Sequence, residues 1–178
     1  MKQEINLKFS ADDEDLFNSA RLLILFDVLD KIGDTVGLNI EKVGYYDFFS
    51  AQPFLIFGNE DKKIKIDLIL YGFELTTISY MSSSQRFVNR REKLKHYLAQ
   101  LIIRDLVMVR NIDGEIVYSI TDNGKQIANS FNSQYDFAYR KSAKLIIKKF
   151  KGWSNNKIAL NAKSWLKAEP FVIDLYDF

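Results

Sequence analysis

Two β-rich runs, Leu-Val-Met-Val-Arg from residue 106 and Glu-Ile-Val-Tyr-Ser-Ile from residue 115, are separated only by Asn111, Ile112, Asp113 and Gly114. Asp-Gly supplies the positive φ that a tight hairpin turn requires, so the spacing predicts an antiparallel hairpin over about 106–120. What flanks the hairpin then narrows the fold. Upstream, Ser82, Ser83 and Ser84 offer an N-cap to a long helix ending near Asp105, with Phe87, Leu94, Leu98 and Leu101 on one stripe and Tyr97 beside it. Downstream, Thr121 or Asp122 caps a helix through Ile127, Ala128 and Phe131. This order of long helix, hairpin and T-D-N-G-K helix is that of the second half of a winged helix-turn-helix, with the hairpin as its wing. A generic α+β domain with one hairpin is the other fold the order permits.

Further helices are expected on both sides. Leu22, Leu25, Phe26, Leu29 and Ile32 form one stripe of a helix from about Leu16 to Ile32, and Leu23, Ile24 and Val28 widen it until most sides are apolar. Gly33 is a suitable C-cap. Asn39 reads as the N-cap of a second helix through Tyr45, Phe48 and Phe49 that ends near Pro53. Between Lys62 and Tyr80 the alternation of Ile64, Ile66, Leu68 and Leu70 predicts a strand, while the following GFELTTISY fits either strand or helix. A C-terminal helical extension over about 134–178 carries Tyr135, Tyr139, Ile146 and Phe150 on one helix. Ile158, Ala162, Trp165 and Leu166 lie on the last, from Ser154 to Lys167. The expected architecture is mainly α (α+β): a winged-helix core with a two-stranded wing and added N- and C-terminal helices, one domain over 1–178. No linker composition or internal repeat divides it.

The chemistry a chain of this composition can perform is limited. It has no Cys and a single His, His96, so thiolate and multi-histidine metal sites have no ligands. The acidic run Asp12, Asp13, Glu14, Asp15 lacks the glycine and spacing of a calcium loop and reads as a solvated lead-in to the first helix. Phosphate-binding glycine motifs and the G-x-S-x-G elbow are missing, so catalysis and cofactor binding are not expected. No stretch reaches the ~18 apolar residues of a membrane span, and the first residues have no signal-peptide core. A cytoplasmic protein with no membrane association is expected.

Binding is the remaining class. The net charge is only +2, but residues 121–178 carry ten Lys or Arg against five Asp or Glu. Arg86, Arg90, Lys93 and Arg104 recur at helical spacing, as do Lys141, Lys144, Lys148 and Lys151, flanked by Arg140 and Lys149. Each stripe is either a phosphate-contacting surface or a solvated face opposite an apolar one. Fourteen Phe and nine Tyr exceed the ordinary needs of a core this size. Either all of these rings fill the core, or some face a partner, with Tyr45, Tyr46, Phe48 and Phe49, and at the C-terminus Phe171, Tyr176 and Phe178, as the candidates for that interface. The C-terminal tail either folds over the core or offers its rings to another subunit.

The stretch RFVNRREKLKHYLAQLIIRDLVMVRNIDGEIVYSITDNGKQIANSFNSQYDFAYRKSAKLI resembles the middle components of three-component ABC-ATPase systems, the group that includes the small subunit of Lamassu-type antiphage defence. The likeness lies in a basic helix, an apolar helix end leading to a Leu-Val strand, a glycine turn, a Y-x-x-T strand end and a tyrosine-led helix. LLILFDVLDKIG and YYDFF resemble the family's N-terminal helices more loosely, and the family's proline-glycine loop between the second helix and the wing-bearing half is missing here. The resemblance implies a non-catalytic adaptor of an antiviral (anti-phage or anti-plasmid) defence complex, joining an SMC/Rad50-like ABC ATPase to an effector nuclease, with a basic stripe near DNA that the ATPase holds. A free-standing winged-helix transcriptional regulator is the alternative; it would dimerise and read a palindrome.

Overall fold

The computed structural model describes residues 11–33, 37–57, 60–73 and 82–166. Among them are seven α-helices and one two-stranded antiparallel sheet, an α+β arrangement built around a central helix. That helix, α1 (Ala11–Lys31), begins about a turn and a half before the expected start near Leu16, because an acidic run suits the positive end of a helix dipole. Every residue from Arg21 to Leu29 is buried. Gly33 ends the helix at φ +85°, donating its N–H to the Asp30 carbonyl at 3.0 Å.

Leu38 follows as a single bridging residue. It exchanges hydrogen bonds with Tyr118, N to O at 3.1 Å and O to N at 2.8 Å, and so lies against the hairpin as a third, one-residue strand. Gly37 permits this: its φ is +95°, and a Cβ there would meet the Tyr118 carbonyl oxygen at 2.6 Å. α2 (Ile40–Ala51) is capped by Asn39, whose side chain accepts from the Lys42 N–H at 2.9 Å, and it is buried from Val43 to Ser50. A 3-10 turn over Pro53–Leu55 closes it where the proline was expected to.

Residues 62–70 form a helix, α3 (Lys62–Leu70), and not the strand that their alternation predicts. Ile64 and Leu68 are four apart, so they share one helical face as readily as one face of a strand. Leu68 is buried and Ile64 packs against the core, whereas Ile66 and Leu70 are exposed, Leu70 at 78 %. The strand-or-helix question for residues 74–80 lies outside the described residues.

The hairpin-bearing half matches its expected order. α4 (Ser83–Ile103) buries Phe87, Leu94, Tyr97, Leu98 and Leu101. β1 (Val107–Ile112) and β2 (Glu115–Ile120) pair from Val107 opposite Ile120 to Ile112 opposite Glu115, with Asp113 and Gly114 at φ +52° and +87° in the turn. α5 (Asp122–Ser130) is capped by Thr121, which accepts from the Gly124 N–H at 3.0 Å and donates its hydroxyl to the Asp105 carbonyl at 2.6 Å. Gly124 is required for close approach: a Cβ would sit 2.1 Å from the Leu106 carbonyl oxygen. α6 (Gln134–Phe150) and α7 (Asn155–Leu166) are the last of the described elements. α6 packs along both α1 and α2, and Phe49, Phe150 and Trp165 meet where α7 joins them. No helix of the described residues is long and apolar enough to cross a membrane.

Candidate functional site

Two ion networks hang on α1. In the first, Arg21 immediately precedes the apolar run Leu22 to Phe26 and is 2 % exposed, so its guanidinium must find partners inside the fold. It donates Nε to Asp47 Oδ1 at 2.7 Å, Nη2 to Asp47 Oδ2 at 2.9 Å and Nη1 to Asn18 Oδ1 at 2.6 Å. Asp47 itself is 1 % exposed on α2, between Tyr46 and Phe48. Tyr139 of α6 donates its hydroxyl to the same Oδ1 at 2.9 Å, and Asn18 donates to the Tyr97 hydroxyl of α4 at 3.2 Å. The network thus ties α1, α2, α4 and α6 together. Burial pushes the Asp47 carboxyl up, but the Arg21 and Arg90 guanidiniums outweigh it and hold its pKa below the usual carboxylate value. Burial and the adjacent Asp47 charge keep the Tyr139 phenol well above its ordinary pKa.

Arg90 completes this network without closing it. Its Nη1 stands 3.7 Å from Asp47 Oδ2, beyond hydrogen-bond range, and the guanidinium lies 5.4 Å from the Phe48 ring centroid. Burial and the neighbouring Arg21 charge lower its pKa.

The second network is centred on Asp27, 1 % exposed, which takes Lys31 Nζ at 2.7 Å and Arg140 Nη1. Arg140 also donates Nε to Asp136 Oδ1 at 2.7 Å and Nη2 to the Ala128 carbonyl at 2.7 Å. Two carboxylates and two cations balance there.

The structure brings three of the sequence-predicted basic residues together. Arg86, Arg90 and Lys93 line a cleft of about 400 Å³ between α4, the start of α1 and the end of α2, facing Glu14, Asn18 and Gln52. Lys93 lies 3.7 Å from Asp15, and His96 lies 3.5 Å from the same carboxylate. Arg104 is exposed past the far end of α4, roughly 27 Å along the helix axis from Arg86 at 1.5 Å per residue. Arg86, Lys93 and Arg104 of the first stripe are exposed and Arg90 is half-buried, so the stripe is divided between the cleft and the far end of α4. On the second stripe Lys141 lies over the Tyr71 ring at 5.3 Å, while Lys144, Lys148 and Lys151 are exposed and pair with no carboxylate among the described residues. Its neighbours Arg140 and Lys149 are committed elsewhere, to Asp27 and to the Phe57 ring.

The aromatic residues of α2 require a correction. Tyr45, Tyr46, Phe48 and Phe49, expected to face a partner, are buried in the core. Phe48 and Phe49 pack on Phe87, and Tyr46 on Phe150, because α2 is enclosed by α1, α4 and α6. Phe171, Tyr176 and Phe178 lie outside the described residues. Sequence reasoning missed Arg21, Asp47 and Gln52. A signal was present for Asp47, which stands between Tyr46 and Phe48: a charge embedded in an apolar run is rarely buried without a partner.

Among the described residues no group of three or more acidic or histidine side chains is placed to hold a metal ion. The polar side chains described above form internal braces and line a cationic cleft. The chain belongs to the family of Middle Component 2 of ABC-three component (ABC-3C) systems, whose model matches residues 76–168, just over half of its length. No curated protein and no solved structure matches the chain. It is therefore an accessory component of a multi-component system with partner subunits.

Proposed function

We propose that this protein is a non-catalytic adaptor of a defence complex, joining an SMC/Rad50-like ABC ATPase to an effector nuclease through a winged-helix core. Family membership carries the reading: the match runs from before α4 through the hairpin to α7, the whole of the wing half. The Leu38 bridge to β2 supports the winged-helix assignment, since it lays a third backbone segment beside the wing, between the first two helices in sequence. The internal use of the charged residues supports an architectural role over a catalytic one. With the α2 rings in the core, the partner contact falls to other surfaces. α3 is one, because Ile66, Ile69 and Leu70 remain exposed on it. DNA held by the complex has Lys144, Lys148 and Lys151 as its exposed cations.

The test is affinity purification of the tagged protein from its native host, with the mass of the eluted assembly measured. Co-elution with a large coiled-coil ATPase and a nuclease is expected, and Leu70→Glu should reduce it while leaving the fold intact. Elution as a bare dimer that shifts one DNA sequence would replace the adaptor with a transcriptional regulator.

A further inference from the structure

We propose that the cleft between α1 and α4 is a binding site for a small phosphate-bearing ligand, up to a mononucleotide in size, held by Arg90 on its floor and by Arg86 and Lys93 at its lip. Asp47 already has three donors. Its Oδ1 accepts from Arg21 and Tyr139 and its Oδ2 accepts from Arg21, so Arg90 meets a carboxylate already engaged. One carboxylate faces two guanidiniums, and a positive charge is left over on the half-buried Arg90. Arg90 Nη1 is shielded from solvent with no hydrogen-bond partner among the described residues. A buried donor on a cation is costly to leave unmade, and an oxyanion in the cleft satisfies both the donor and the charge.

Other groups around the cleft specify the ligand further. Arg86 and Lys93 come from the same face of α4 at i−4 and i+3 from Arg90, so three cations converge on one volume. Guanidiniums match the oxygens of a phosphate with paired N–H groups, and the lysine adds a mobile charge at the opening. The buried Gln52 Oε1 also lacks a donor, which favours a ligand carrying a hydroxyl or amino group beside its phosphate. Glu14 on the wall opposes a ligand of high negative charge, and so selects a monoester over a triphosphate. The cleft, about 400 Å³, falls within the ~300–1,000 Å³ of small-molecule sites. This inference does not depend on the adaptor reading.

Calorimetric titration of the full chain at low ionic strength, with inorganic phosphate and with AMP as probes, tests it. Both should bind saturably and weaken with added salt. Arg90→Met should lower their affinity at least roughly tenfold, the effect of deleting a hydrogen bond to a charged group. Its melting temperature without ligand should be unchanged or higher, which separates lost binding from lost folding. Tighter binding of AMP assigns a nucleotide-like ligand through Gln52; equal binding assigns recognition of the phosphate group alone. Absence of saturable binding by both probes, binding unaltered in Arg90→Met, or binding only of duplex DNA would overturn the site.

Discussion

Around Asp27 two carboxylates meet two cations, whereas around Asp47 one carboxylate meets two arginines. Both networks brace α1 against α6, and both carboxylates are 1 % exposed. The first is balanced and can be understood as bracing. The second carries an excess charge that bracing does not need, since the bidentate Arg21–Asp47 pair with Tyr139 already joins α1, α2 and α6. Removing members of each network should therefore have effects of different size and sign.

The largest effect belongs to Asp47→Asn. It leaves Arg21 buried and Arg90 half-buried without a counter-charge and should cost about 3–5 kcal/mol, read from the urea midpoint. Its pH dependence follows from the lowered pKa of Asp47. A carboxyl with a depressed folded-state pKa adds stability that is present above its unfolded value of about 3.9 and is lost as pH falls through the folded value. The gap between wild type and Asp47→Asn should be full at neutral pH and should close below about pH 4. A gap that stayed constant down to pH 2 would show that the charge of Asp47 is not what stabilises.

Arg140→Met comes next. Asp136 loses its cation while Asp27 keeps Lys31, so roughly 1.5–3 kcal/mol should be lost. Arg90→Met, also the removal of one arginine next to a buried carboxylate, should be neutral or stabilising in phosphate-free buffer, because the Arg21–Asp47 pair remains whole. If the two arginine variants lose stability equally, the contrast between the networks fails. Lys144→Ala, at an exposed position of α6, should change stability by no more than about 0.5 kcal/mol and serves as the baseline.

Much of the fold was legible in the sequence where local chemistry decides it. The Asp113-Gly114 turn, the Asn39 and Thr121 caps and the stripe from Phe87 to Leu101 each act within a few residues, and each lies where the pattern predicts. α3 was misread because four residues of alternation hold too little to separate a period of two from one of 3.6 when Ile64 and Leu68 satisfy both. The site was half legible. Helical spacing brought Arg86, Arg90 and Lys93 to one face, but spacing carries no information about what that face meets. Asp47, Asn18 and Gln52 reach it from α1 and α2 only through tertiary packing. The α2 rings show the same limit from the other side, since an aromatic cluster looks alike in sequence whether it fills a core or waits for a partner.

The central position of α1 bears on how the protein is made. Asp27 and Arg140 are 113 residues apart, and Asp47 and Tyr139 are 92 apart. At a synthesis rate of ~5–20 residues per second, α1 leaves the ribosome roughly 6–20 seconds before the helix that covers it. During that interval the apolar run from Leu22 to Leu29 lacks the part of its native cover that α6 supplies. The nascent chain is then most open to proteolysis and self-association, and a chaperone or a partner subunit translated nearby has its best opportunity to engage it.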